Sequence, residues 1–259
     1  MTSLTLPRPG TARRAAFGQI VLNEARLAWR RPVALVVGVA LPVLLLVVFG
    51  NLSRFHQAQS TLGGLTLFDL YVPILVVFSV AMLALLGLPI PLVSYRELGV
   101  LRRLSTTPVP ASWLLAAQGV VQVCTALIAL TVIFVMSIVA FGAPAPESAG
   151  GLLLSVVLAI AGMFAIGLLI SALARTANGA SVIGRLAFFP LMFFAGLWLP
   201  RALMSGFLEG VSNYTPLGAA VEAIQASMLQ GFPPVAPLLV LAAYAAVFGF
   251  LARRFFRWE

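Results

Sequence analysis

The sequence predicts an all-α integral membrane protein. It has six transmembrane helices, an N-terminal interfacial helix, a short cytoplasmic helix between spans two and three and an outer re-entrant hairpin before the last span. Three observations carry that reading. Of the 259 residues, 61% are hydrophobic and only 9% charged, with a mean hydropathy of +1.08; soluble domains carry about 25% charge. The charges are spaced so that uncharged stretches exceeding the ~20 residues needed to cross a ~30 Å hydrocarbon core recur along the chain. Finally, 14 of the 16 basic residues fall on alternate connecting segments. Nothing divides residues 1–259, which form one continuous transmembrane domain.

Composition also excludes several chemistries. All 16 basic residues are arginines, so the chain has no Walker A lysine and no Schiff-base lysine, and it is not a P-loop ATPase. One cysteine, Cys124, rules out an internal disulfide, and one histidine, His56, rules out a Cys/His metal cluster. No catalytic, cofactor-binding or metal-binding residue is expected.

In chain order, residues 15–31 read as an interfacial helix. Gln19, Asn23, Arg26 and Arg30 form one polar stripe, while Phe17, Val21, Leu22, Ala25, Ala28 and Trp29 occupy much of the remainder. Spans follow near 33–51, 70–93, 113–141, 150–174, 180–199 and 235–252. The first apolar run starts too late and runs too long for a signal peptide, so it is a span. The fifth is the shortest: only 15 uncharged residues separate Arg185 from Arg201. A full span there takes in Arg185 about five residues deep, within reach of a snorkelling guanidinium. Pro42, Pro73, Pro89, Pro91 and Pro190 are tolerated because neighbouring helices satisfy freed carbonyls. The arginine distribution places both termini in the cytoplasm, and the basic excess marks topology, not nucleic-acid binding. Cys124 is expected as a small packing residue in span three.

Two segments are not spans. Residues 95–110 connect spans two and three: Leu98, Leu101 and Leu104 recur every three residues with Arg102 and Arg103 between them, and Pro108 and Pro110 stop the piece before Trp113. Residues 200–232 are too apolar for a solvated loop. Leu203, Met204, Phe207, Leu208 and Val211 form one stripe, and Leu217, Ala220, Val221, Ile224 and Met228 form a second. Thr215 and Pro216 open the second helix as cap and first-turn residue. It is too short to cross a bilayer and carries Glu222, which needs water or a polar partner.

These two segments, in this six-span frame, resemble the permeases of ABC-2 type exporters. The first matching block is Glu97-Leu-Gly-Val-Leu-Arg-Arg-Leu-Ser-Thr-Thr-Pro108. The second joins Pro190-Leu-Met-Phe-Phe-Ala-Gly-Leu-Trp-Leu-Pro200 to Asn213-Tyr-Thr-Pro-Leu-Gly-Ala-Ala-Val-Glu-Ala-Ile224. The likeness extends over nearly the whole chain, and within the family it is to membrane subunits of daunorubicin/doxorubicin-type antibiotic exporters.

The resemblance implies a permease, not an enzyme, working as a homodimer with a separate ATP-binding-cassette ATPase subunit that binds ATP and magnesium. It implies a multi-pass protein of the bacterial cell membrane that exports a hydrophobic or amphipathic, drug-like compound; a lipid-linked glycan or lipid is the alternative cargo. Arg96, Glu97, Leu98, Gly99, Leu101, Arg102, Arg103 and Leu104 are the expected contact with the ATPase, the leucines in an apolar groove and the charges at its rim. Arg185, Phe188, Phe189, Met192 and Phe193 are candidates for the translocation path, and Pro216 with Glu222 for an outer gate. An ion-coupled secondary transporter is the rival class, disfavoured because every acidic residue maps to an end, a loop or the hairpin.

Overall fold

In the computed structural model, residues 9–30, 36–58, 64–100 and 110–255 are described. They are helical apart from turns and one isolated bridge between Ala58 and Thr66. The helices in order are α1 (Pro9–Arg30), α2 (Val36–Gly50), α3 (Leu67–Glu97), α4 (Ala111–Val139), α5 (Ala149–Leu173), α6 (Ala177–Ala195), α7 (Gly206–Tyr214), α8 (Pro216–Leu229) and α9 (Val235–Phe255). Of these, α3, α4, α5, α6 and α9 are long and apolar enough to cross a membrane.

Several boundaries differ from the sequence expectation. Helix α1 begins at Pro9, not residue 15, because proline fits a first turn and no breaker follows Gly10. Helix α2, expected to span from 33 to 51, is helical over five π-turn and ten α-helical residues. At about 1.5 Å per residue that gives about 22 Å, short of a ~30 Å core; residues 31–35 lie outside the described residues. Helix α6 starts three residues earlier than expected because Thr176 caps it, accepting from the Gly179 N–H at 3.1 Å. It ends at Gly196, whose φ of +96° is left-handed.

The largest shift concerns residues 95–110, the expected coupling segment. Tyr95, Arg96 and Glu97 form the last turn of α3 instead of opening a separate helix. The helix stops at Gly99 (φ +67°), with the Leu98 N–H on Ser94 O and the Gly99 N–H on Arg96 O. Leu101, Arg102, Arg103 and Leu104 lie outside the described residues.

Helix α3 is the axis of the bundle, with Val72, Leu75, Val76, Ala81, Leu83, Ala84 and Leu85 fully enclosed. Helix α5 packs along α9, and α8 inserts beside them, burying residues on nearly every side. The second apolar stripe of the hairpin is therefore core, whereas in the first only Met204 is buried and Phe207 stands out from the protein. Leu186, Phe189, Leu239 and Phe250 are also exposed on α6 and α9. Exposed apolar surface on this scale needs a hydrocarbon environment. Cys124 lies on the exposed side of α4 and not in the packed interior.

Candidate functional site

The middle of α3 contains a π-helical turn, Leu83–Gly87, followed by Pro89 and Pro91. Neither proline has an N–H, so the carbonyls four residues back, Leu85 and Gly87, lose their ordinary α-helical donors. Neighbouring helices accommodate them. Gln122 Nε2 of α4 donates to Gly87 O at 3.0 Å. Gly184 of α6 lies against Leu85 O and Gly167 of α5 against Ala84 O, so closely that a Cβ at either would collide. The same device recurs on α2, where Pro42 offers nothing to Gly38 O and Ser79 Oγ donates to it at 2.6 Å. Helices α4, α5 and α6 thus meet the bulge at its carbonyl oxygens, the last two through glycines, and α2 docks a turn earlier at Ser79.

Beside the bulge opens a cavity of 550 Å³, bounded by α1, α2, α3, α4 and α6. Its walls are mainly apolar, including Val37, Met82, Leu86 and Ile90, yet Glu24, Gln118, Gln122, Thr125, Ser181 and Arg185 also line it. Glu24 and Gln122 are each 5% exposed. Tyr95 Oη on α3 donates to Glu24 Oε2 at 2.8 Å, drawing α1 toward the end of α3. An edge-on contact of Phe17 with Trp113, centroids 5.7 Å apart, holds α1 on α4. Arg185 Nη2 donates to Ser181 Oγ at 2.6 Å, one turn nearer the start of α6.

The predicted path residues separate. Arg185 lines the cavity, but Phe188 and Met192 are buried in the core, Phe188 edge-on to Phe78 at 5.6 Å. Phe189 faces outward and stacks on Trp198, and Phe193 packs beside Phe194. The sequence reading missed Glu24, Gln118 and Gln122. Their signals were present: Gln118, Gln122 and Thr125 recur at helical spacing within an apolar span, and Glu24 falls on the stripe of Phe17, Val21 and Ala28.

The last turn of α3 clamps the corner between α5 and α6. Arg96 Nη2 donates to the carbonyl of Ala174, which ends α5. Glu97 Oε2 accepts from the N–H of Ala177, the first residue of α6, at 3.0 Å. A cation sits at a helix C-terminus and an anion at a helix N-terminus, as the peptide dipoles favour. Glu97, expected at the rim of a partner subunit, thus has a contact within its own chain, while Leu98 is exposed beside Gly99.

At the opposite end, Arg201 organises the hairpin. Its Nη1 donates to Gly218 O at 2.9 Å, and its Nη2 donates to Asn213 Oδ1 and, at 3.0 Å, to Glu222 Oε2. Pro216 is buried at the start of α8, capped by Thr215 Oγ1 accepting from the Gly218 N–H. A second cavity of 260 Å³ lies here, lined by Arg201, Glu209, Glu222, Gln225 and Gln230.

Among the described residues no group of acidic, histidine or cysteine side chains could hold a metal ion. Residues 15–229 match the family model described as ABC-2 type transporter. A protein described as a transport permease, ycf38, from Porphyra purpurea is 27% identical over 202 residues, covering 76% of this chain and 68% of its own. The ycf38 protein of Pyropia yezoensis is 26% identical over 201 residues, covering 75% and 67%.

Proposed function

The chain belongs to the ABC-2 type transporter family, and from that membership we propose that it is the permease subunit of an exporter driven by a separate ATP-binding-cassette ATPase. The ATP and Mg²⁺ would be held by that partner, since this chain contains no lysine for a Walker A loop. The permease would work as a homodimer in a bacterial cell membrane, with α2 completing a set of six spans and both termini in the cytoplasm. Its cargo would be a hydrophobic or amphipathic, drug-like compound.

The observation that carries this reading is the cavity beside the α3 bulge. Its 550 Å³ falls within the roughly 300–1,000 Å³ of small-molecule sites, and mainly apolar walls with a few polar groups suit an amphipathic guest. The clamp below it supports a route for force. Movement of segment 96–104 by the ATPase would reach both Ala174 and Ala177 through Arg96 and Glu97. The hairpin built on Arg201, Pro216 and Glu222 would form the outer gate.

The test is reconstitution of the permease with its ATPase in proteoliposomes and measurement of ATP hydrolysis across antibiotics and lipid-linked sugars. Stimulation by amphipathic antibiotics is expected. Stimulation by glycans alone would overturn the cargo assignment.

A further inference from the structure

Resting on the export reading for the direction in which a ligand moves, we propose that the cavity beside the α3 bulge binds the head group of an amphiphile carrying both an N–H donor and an anionic group, as a phosphoethanolamine head does. Gln122 supplies the first requirement. Its Nε2 is committed to Gly87 O at 3.0 Å, a carbonyl that Pro91 leaves without its usual donor. The amide cannot turn over without losing that bond, so Oε1 is fixed as the free end. That oxygen has no partner, on a side chain only 5% exposed that lines the cavity. A buried acceptor in mainly apolar surroundings calls for a donor. Glu24 lines the same space, so an ammonium meets a carboxylate there that a neutral hydroxyl would exploit less.

Arg185 supplies the second requirement. Its guanidinium gives one hydrogen bond to Ser181, and among the described residues no carboxylate lies within ion-pair distance of it. The remaining donors form the fork that matches a phosphate or carboxylate. Leu86 and Ile90 offer an apolar wall, and Leu27, exposed at 42%, opens the cavity toward the surroundings of the bundle. Apolar walls beside these polar groups suit an amphiphile better than a wholly polar ligand. A resident lipid and an exported compound of this head chemistry would use the same groups.

The experiment uses the full-length permease alone, in nanodiscs of dioleoylphosphatidylcholine. The probe is a lysophosphatidylethanolamine with a photoreactive acyl chain; the matched lysophosphatidylcholine, which has no N–H, is the control. We expect saturable labelling by the ethanolamine probe within 82–95 and 118–125, and no saturable labelling by the choline probe. Gln122→Leu should raise the half-saturating concentration about tenfold, as should Arg185→Gln, which leaves the Gly87 carbonyl untouched. Equal saturation by both probes, or no effect of Arg185→Gln, overturns the proposal. Displacement by a compound that stimulates the ATPase assigns the pocket to cargo, and absence of displacement assigns it to a bilayer lipid; either sustains the site. Unselective labelling with stimulation intact overturns the pocket alone. Selective labelling with no compound stimulating overturns the export reading and leaves the pocket standing.

Discussion

The Glu97 carboxylate, on the last turn of α3, accepts a 3.0 Å hydrogen bond from the backbone N–H of Ala177, the first residue of α6. One turn of helix thereby joins spans that are 80 residues apart in sequence. With Arg96 on Ala174 O, the α5–α6 corner is held from both sides by adjacent residues of opposite charge.

Glu97→Ala should detach α6 from α3 without unfolding the bundle. The lost contact resembles an N-terminal cap, worth about 0.5–2 kcal/mol. Cargo-stimulated ATPase should fall severalfold while basal hydrolysis and insertion persist. Glu97→Gln keeps an oxygen acceptor and should recover most of the stimulation. A variant pair with identical activity would show that the bond transmits nothing.

Leu101→Asp tests the other half of the proposed connection, the segment that follows α3 in sequence and is proposed to meet the ATPase. Burying one leucine in a partner groove contributes about 1.5–3 kcal/mol, whereas an exposed ion pair gives about 0–1. Copurification of the ATPase should therefore fail in Leu101→Asp but survive Arg102→Ala. Retained copurification and normal transport in Leu101→Asp would remove the segment from the interface.

The glycine seam around the bulge makes a stability prediction. Gly167→Ala and Gly184→Ala each place a methyl against a carbonyl of α3, and backbone cannot yield as a side-chain tip can. Overpacking of this kind costs about 1–3 kcal/mol. Gly249 on α9 faces open space, and alanine there gains up to about 1 kcal/mol of helix propensity. Thermal unfolding in detergent should rank Gly249→Ala at or above the parent, with both seam variants below it.

Charge spacing made the long spans legible, since a bilayer tolerates few ionised groups and the chain places most of them at helix ends, with Arg185 in the middle of α6 the exception. The extent of α3 was not legible by the same logic. Arg96 and Glu97 read as loop charges, but two helix termini provide the opposite partial charges that let them sit at the junction. The aromatic run of α6 was visible, but periodicity does not say which face meets α3, so Phe188 and Met192 turned out to be core. The π turn leaves no mark in hydropathy. Its trace is two prolines two residues apart with a glutamine on the next span.

Topology is checked by cysteine labelling in a Cys124→Ala background, necessary because Cys124 is exposed. Cysteines replacing His56, Glu147 and Glu209, all exposed, should react with an impermeant maleimide added outside intact cells. Cysteines at Thr106 and Arg257 should react only after permeabilisation. Reaction of the Thr106 variant in intact cells would invert the orientation.

Arg201 is the residue on which the hairpin depends. Its side chain is 13% exposed and Glu222 34%, so the pair is neither fully solvated nor fully buried. Two of the three acceptors lie outside Glu222, on Asn213 and the Gly218 carbonyl, and they fix the guanidinium plane. Arg201→Ala strands all three, and losing charged hydrogen bonds of this kind costs about 1.5–3 kcal/mol. Arg201→Lys keeps the charge but lacks the fork, so it should recover less than half of that loss. Glu222→Gln keeps an acceptor for Nη2 and should be the mildest of the three. Unfolding midpoints should therefore fall in the order parent, Glu222→Gln, Arg201→Lys, Arg201→Ala. If Glu222→Gln destabilised as much as Arg201→Ala, the ion pair itself, and not the three-way hydrogen bonding of the guanidinium, would be holding α7 to α8.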